Sequence, residues 1–242
     1  MLEREALLQV PPTIELPTLE LPTEDGIPLE TPWHRSEINL LIELTRCHWR
    51  DRTDFYTGGN MFIYYSIKQA LDIATQPATP RRYRGPDFFV VKDVDGTRYR
   101  GAWVVWEEGG RYPDLIIELL SPSTAVVDRT EKKTLYERTF RTAEYYCYDP
   151  MSQELEGWWL SREGYEALTP GPEGWLWSAV LGLWLGRWEG VFQGERAVWL
   201  RFFDAEGRLV LTGEEAAEQR AEAAEAELAH LRVRLAELEG EM

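Results

Sequence analysis

Short apolar runs separated by turn formers dominate the middle of the chain. From about Trp33, "TPWHRSEINLLIELTRCHWR" carries Ile38, Leu41, Ile42 and Leu44 at helical spacing, which predicts an amphipathic first helix. The runs "NMFIYYS", "DFFVVKDV", "AWVVWEE", "DLIIELL" and "EYYCYDP" read as strands, with turn signals at Gly58-Gly59, Asp95-Gly96 and Gly109-Gly110. One helix fits between the last two runs. Helix, strands, helix, strand is the pattern of an α/β core built on a mixed sheet.

Two ends of different texture frame this core. Residues 1–32 hold six prolines among Leu, Thr and Glu and predict an extended arm, either loose or laid over the core or a neighbour. Residues 33–150 form the α/β core. Residues 151–212 continue with short strands and loops and contain seven of the 11 tryptophans. In residues 213–242, Ala217, Ala221, Ala224, Leu228, Leu231, Leu235 and Leu238 alternate spacings of four and three, a heptad seam. So short a coiled coil is marginal alone, so a partner helix is implied and a homodimer or other homo-oligomer is expected. The alternative is a single solvated helix laid on its own core.

Charge changes this picture only after it is divided. The net charge is -16, but the first and last thirty residues contribute -6 each, leaving -4 for residues 31–212. Such a chain is a poor nonspecific coat for nucleic acid, yet its nearly neutral middle can carry a local basic cleft. Cys47 and Cys147 are too few for a disulfide framework, and with three scattered His they match no zinc spacing. No leader-like segment or membrane-length apolar run is present, so the expectation is a cytoplasmic protein.

The candidate chemistry begins with Glu118, a lone carboxylate inside "PDLIIELL". Apolar residues of both parities predict a strand buried on both faces, where an uncompensated charge costs several kcal/mol. Asp114 shares its parity but lies about 13 Å away at about 3.3 Å per residue. Two carboxylates sharing one ion must come within about 5 Å of each other. Asp114 is therefore excluded as the partner. Asp87 repeats the Pro-Asp opening before another apolar strand, and adjacent strands lie about 4.8 Å apart.

In "DRTEKKTLYERTF", Asp128 and Glu131 resemble a capping box, which predicts a helix start. On a helical wheel Lys132 falls within roughly 20° of the apolar face of Leu135, Tyr136 and Phe140. Lys133 points outward, in line with Glu137 and Arg141 as a charge ladder. The chain has four Lys against 22 Arg, yet the inward position is Lys, a compact donor with an adjustable pKa. Each feature alone has an ordinary structural reading: a paired buried Glu, a snorkelling Lys, a Pro-Asp turn. Their combination favours a site.

That combination resembles the Uma-two family, a restriction-endonuclease-like group within the PD-(D/E)XK nuclease superfamily. The resemblance covers roughly Trp33 to Pro150 and is most specific in "YPDLIIELLSPSTAVVDRTEKKTLYERTFRTAEYYCYDP". It falls on Pro113, Asp114, Glu118, Leu120, Ser121, Pro122, Ser123, Asp128, Lys132, Tyr136, Asp149 and Pro150. The resemblance implies a restriction-endonuclease-like core in which Asp87 and Glu118 bind metal, with the backbone carbonyl of Leu119 as a further ligand. The superfamily Lys normally sits two residues beyond the Glu, where this chain has Leu120. The resemblance therefore implies that Lys132 takes that role from the helix. Asp114 belongs to the family motif, but its distance from Glu118 makes it a strand-start or supporting residue.

The expected activity is a Mg²⁺- or Mn²⁺-dependent endonuclease hydrolysing DNA, with Asp87, Glu118 and Lys132 catalytic. Arg81, Arg82 and Arg84 could grip flanking phosphates or form a solvated basic loop. Glu37 on the first helix is a further acidic candidate, against the simpler reading of an exposed first-turn Glu. The Trp cluster could stack bases, although core packing is its more usual role. The competing expectations are a non-catalytic nuclease-fold scaffold assembling through its C-terminal coiled coil, and a metal-dependent hydrolase of another substrate.

Overall fold

The computed structural model describes Leu21, residues 31–75 and residues 85–240 of the 242-residue chain. The remaining positions of the proline-rich arm, together with Arg81, Arg82 and Arg84, lie outside the described residues. The first helix, α1, runs over Pro32–His48. Thr31 is its N-cap, accepting the His34 backbone N–H at 3.3 Å, and Pro32 follows where a missing N–H is harmless.

Strands β1 (Phe55–Gly59), β3 (Phe88–Lys92), β5 (Leu115–Leu119), β6 (Glu144–Tyr148), β7 (Leu155–Leu160) and β8 (Tyr165–Ala167) form one six-stranded sheet in that order. β5 and β6 are parallel and the other pairs antiparallel, so the sheet is mixed. A second antiparallel sheet has the order β11 (Glu195–Phe203), β10 (Leu183–Phe192), β9 (Leu176–Ser178). The segment after Pro150 is thus divided, with β7 and β8 completing the central sheet and β9 to β11 building the second one. A short parallel ladder joins β2 (Ile63–Tyr64) to β4 (Trp103–Val104).

Alternation along the strands makes two cores. Leu115, Ile117 and Leu119 pack with Ile38, Leu41 and Leu44 of α1 and with Leu183, Leu185 and Leu200 of the second sheet. Ile116 and Leu120 pack on the opposite face with Tyr136, Phe140, Tyr145 and Trp103. Phe89 and Val91 of β3 face the same way. Every residue of β5 is buried, as the unbroken apolar run predicts.

The connection from β5 to β6 is one continuous helical segment: α3 (Ala125–Val127), a π-helical turn (Asp128–Lys132), α4 (Lys133–Leu135) and a second π-helical turn (Tyr136–Phe140). It begins earlier than the Asp128–Glu131 spacing suggests. Ser121 supplies the start, its carbonyl accepting the Ala125 N–H at 2.9 Å and its hydroxyl the Thr124 N–H at 3.2 Å. Asp128 lies inside the helix and is buried, so it is not a cap. Arg141, at φ 56°, ends the segment in the left-handed region and cannot extend a ladder along it. Lys133 lies 3.6 Å from the Trp158 ring centroid, while the Glu137 carboxylate accepts the Tyr165 N–H at 2.8 Å. The outward charge ladder is therefore not formed; aromatic and backbone partners replace it.

Other elements differ from the apolar pattern for local reasons. Gly58-Gly59 is not a turn but the end of β1, paired with Phe89 and Phe88. A Cβ on Gly58 would come within 2.3 Å of the Phe89 ring, and one on Gly59 within 2.3 Å of Ile38 Cγ2. These glycines permit close approach rather than chain reversal. Helix α2 (Ile67–Thr75) follows β2, with Ser66 Oγ accepting the Gln69 N–H and Gln69 Oε1 accepting the Tyr65 N–H. That reciprocal cap cuts "NMFIYYS" short as a strand. "AWVVWEE" is likewise limited to two strand residues, and its Glu108 turns to accept two bonds from Arg100.

Beyond the sheets, α5 (Gly213–Gly240) is a 28-residue helix. Leu228, Leu231 and Leu235 on it are 53%, 51% and 58% exposed. Among the described residues, no helix is long and apolar enough to cross a membrane.

Candidate active site

The antiparallel register of β3 and β5 pairs Phe88 with Ile117, which sets Asp87, one residue before β3, opposite Glu118. Strand alternation then directs both side chains to the face covered by the helical segment. The Asp87 backbone N–H donates to Glu118 Oε2 at 3.3 Å, and the Leu119 N–H donates to Asp87 Oδ2 at 2.7 Å. The carboxylates are thus cross-tied through each other's strand.

Lys132 and Tyr136 lie one turn apart on the helical segment and both reach Glu118. Lys132 Nζ donates to Glu118 Oε2 at 3.0 Å, and Tyr136 Oη donates to Oε1 at 2.9 Å. Lys132 Nζ is also 2.8 Å from Asp128 Oδ1. Glu118 is fully enclosed and Asp128 only 1% exposed, whereas Asp87 and Lys132 are partly accessible and mark the mouth of the cluster. π-Helical turns often coincide with functional sites, and this one spans Asp128 to Lys132.

Burial raises the Glu118 carboxyl above its ordinary range, against the pull of Lys132, with Asp128 and Asp87 adding to the rise. Asp87 is also raised, mainly by burial and against the charge of Lys132. Burial would lower the Lys132 ammonium, but the charges of Glu118, Asp128 and Asp87 more than reverse this and hold it above its usual value. Lys132 is therefore the fixed positive charge of the cluster.

The other sequence candidates lie elsewhere. Asp114 accepts the Lys92 N–H at 2.7 Å and secures the far ends of β3 and β5. Glu37 is fully buried rather than exposed; it faces the second sheet and accepts the Leu200 N–H at 3.2 Å. Burial raises its pKa well above the usual value. Leu119 contributes its N–H to Asp87, as described above.

Two residues have site roles that the sequence reading does not assign. The capping-box reading of Asp128 fails; its four-residue spacing to Lys132, and its place in the family pattern, are the signals for an ion pair. His34 precedes Ile38 and Leu41 by four and seven residues, the spacing of the buried stripe of α1. It is 6% exposed, its Nδ1 is 2.8 Å from Thr31 Oγ1, and Nε2 has no hydrogen-bond partner among the described residues. A positive charge on its ring would favour the Asp87 carboxylate.

A family model described as "Uma2: Putative restriction endonuclease" matches residues 8–189, about three quarters of the sequence. The chain belongs to the Uma2 family. The family is described as a "Putative restriction endonuclease", and this chain has a mixed α/β core with an added C-terminal helix. A crystal structure of a "putative nuclease belonging to DUF820" from Anabaena variabilis ATCC 29413 is similar at 13% identity and a TM-score of 0.44. The similarity covers 64% of this Uma2 chain and 76% of that one. No curated protein matches the sequence.

Proposed function

We propose that this Uma2 protein is a metal-dependent endonuclease that hydrolyses phosphodiester bonds in DNA. The observation that carries the reading is the convergence of Asp87, Glu118 and Lys132 from three separate segments on one partly accessible cluster.

The donor set suits a hard divalent cation. Among the described residues no three His, Cys, Asp or Glu side chains form a ready-made cage. Mg²⁺, however, usually takes only one or two carboxylates and completes its shell with water and substrate phosphate. Three carboxyl groups, Asp87, Glu118 and Asp128, face the single Lys132 ammonium, so a further positive charge is favourable there. Asp87 and Glu118, with the Leu119 carbonyl, would hold Mg²⁺ or Mn²⁺. When bound, the ion polarises the phosphate and lowers the pKa of a coordinated water.

The chain's own groups supply the rest. Lys132 orients the attacking water and stabilises negative charge developing on the phosphate. Tyr136 fixes the orientation of Glu118, Asp128 holds the Lys132 ammonium in place, and Arg81, Arg82 and Arg84 grip neighbouring phosphates. The exposed leucines of α5 support pairing of two copies through the heptad seam.

A second reading has one observation in its favour: Lys132 already bridges Glu118 and Asp128, as it would in a purely structural ion cluster. Calorimetric titration of Mg²⁺ or Mn²⁺ into wild type and Glu118→Gln, followed by incubation with plasmid and single-stranded DNA, separates the two. The nuclease reading expects ion binding lost in the variant and metal-dependent nicking by wild type. No ion affinity and no cleavage would sink the nuclease reading.

A further inference from the structure

Immediately beyond Glu118 and Leu119 the chain lines a cavity of ≈ 360 Å³ with Leu120, Ser121 and Pro122. Trp33 and His34 of α1 form another wall, and Pro150, Met151 and Gln153 close it from the turn after β6. Its volume is at the lower end of the range for small-molecule sites, about 300–1,000 Å³. That is the scale of one nucleoside, not of a duplex step.

The chemistry of the cavity contrasts with that of its neighbour. None of its lining residues is Asp, Glu, Lys or Arg, although the carboxylate–ammonium cluster adjoins it along β5. A phosphate belongs at the charged cluster, and the cavity suits an uncharged, largely apolar group carrying a few polar edges. The rings of Pro122 and Pro150, with the Trp33 indole that is itself stacked on Trp199 at 5.9 Å between centroids, supply apolar wall. Polar contacts are available from Thr31, Ser121 and Gln153, which also line it.

We infer that this cavity receives one unpaired nucleobase of the substrate strand, next to the phosphate that is cut. The inference rests on the nuclease reading above and adds a substrate class to it. A base inside a duplex has both faces stacked and its edge paired, so it cannot be enclosed this way. The base must come from a single strand or be extruded from a helix. Its face lies against the apolar walls, and its edge meets the polar lining at Ser121 and Gln153. Leu120, at the position where the superfamily pattern has a Lys, contributes apolar wall to this cavity. The substrate class is therefore DNA with unpaired nucleotides.

The test measures binding of fluorescein-labelled 12-nucleotide DNA in EDTA, so that nothing is cut. The probes are a single strand, the perfect duplex, and the single strand with every base of its central four positions removed. Wild type should bind the intact single strand at least tenfold more tightly than either other probe. Ala197→Phe fills the cavity from β11 and should lose at least tenfold for the intact strand only. Met151 is 84% exposed, so Met151→Asp cannot disturb the core; its charge at the cavity mouth should cause a loss of similar size. Equal affinity for single strand and duplex, or undiminished single-strand binding by a folded Met151→Asp variant, would overturn the inference. Metal-dependent nicking that persists in that case would leave the nuclease reading standing, while absence of nicking with retained single-strand preference would remove only that reading.

Discussion

Asp87 and Glu118 are tied across two strands: the Asp87 N–H donates to the Glu118 carboxylate, and the residue after Glu118 donates its N–H back to Asp87. Their geometry is thus set by backbone register and not by loop conformation. Substitution of either by its amide should preserve the fold while removing a negative charge. Asp87→Asn and Glu118→Gln are each expected to reduce metal affinity and DNA nicking by at least about 100-fold, the scale of losing one well-placed electrostatic group. Circular dichroism and metal titration on the same preparations check this.

Lys132→Met should separate structural from catalytic roles. Removing the ammonium leaves Glu118 and Asp128 buried without their counter-ion, at a cost of about 3–5 kcal/mol. A divalent cation should restore much of this, so Mg²⁺ should raise the melting temperature of the variant more than that of wild type. Thermal melts with EDTA and with excess Mg²⁺ measure the difference.

Asp128→Asn should lower nicking about 10–100-fold, the usual range for a residue that orients a metal site without occupying it. The close Lys132–Asp128 ion pair would be lost while the Lys132–Glu118 pair remained. Single-turnover cleavage should show the defect in the chemical step, with DNA affinity little changed.

Glu37→Gln should stabilise the protein at neutral pH. Burial raises the folded-state pKa of Glu37 well above 4.5, so folding favours its protonated form. Stability from this group is complete below about pH 4.5 and is lost as pH rises toward the raised value. The amide mimics the neutral acid. The variant's melting temperature should exceed that of wild type at pH 7 by about 2–4 °C for each kcal/mol recovered, and the advantage should vanish near pH 4.

Glu144→Ala should weaken the junction between the two sheets. This buried carboxylate accepts from Tyr146 and Ser178 hydroxyls and from the Ala179 and Val180 N–H groups. Leaving those donors unpaired should cost about 3–5 kcal/mol, read by urea unfolding.

The sequence was most legible where periodicity and burial act together. The apolar run around Glu118 specifies a doubly covered strand, and the helical wheel turns Lys132 and Tyr136 toward it. Pairing register was not legible, because it depends on partners distant in sequence; the Phe88–Ile117 pairing supplied Asp87's position. The pattern around Asp128 is ambiguous because the same Asp opens both a capping spacing to Glu131 and an i, i+4 ion pair with Lys132. Gly58-Gly59 is ambiguous because close approach of Phe89 and Ile38 demands the same residue as a turn. His34 was legible in principle from the α1 stripe, but one histidine among apolar residues says nothing of the cavity it borders.

Lys132 also bears on how the protein is made. In domains whose ligands repel one another until an ion arrives, loading and folding are a single event, and chelators unfold the chain. Here an amino acid of the same polypeptide neutralises part of the acidic cluster from the moment the helical segment docks. Assembly does not have to wait for an ion from solution. On the nuclease reading, the architecture is completed first, and a divalent cation would then govern when it works rather than whether it exists.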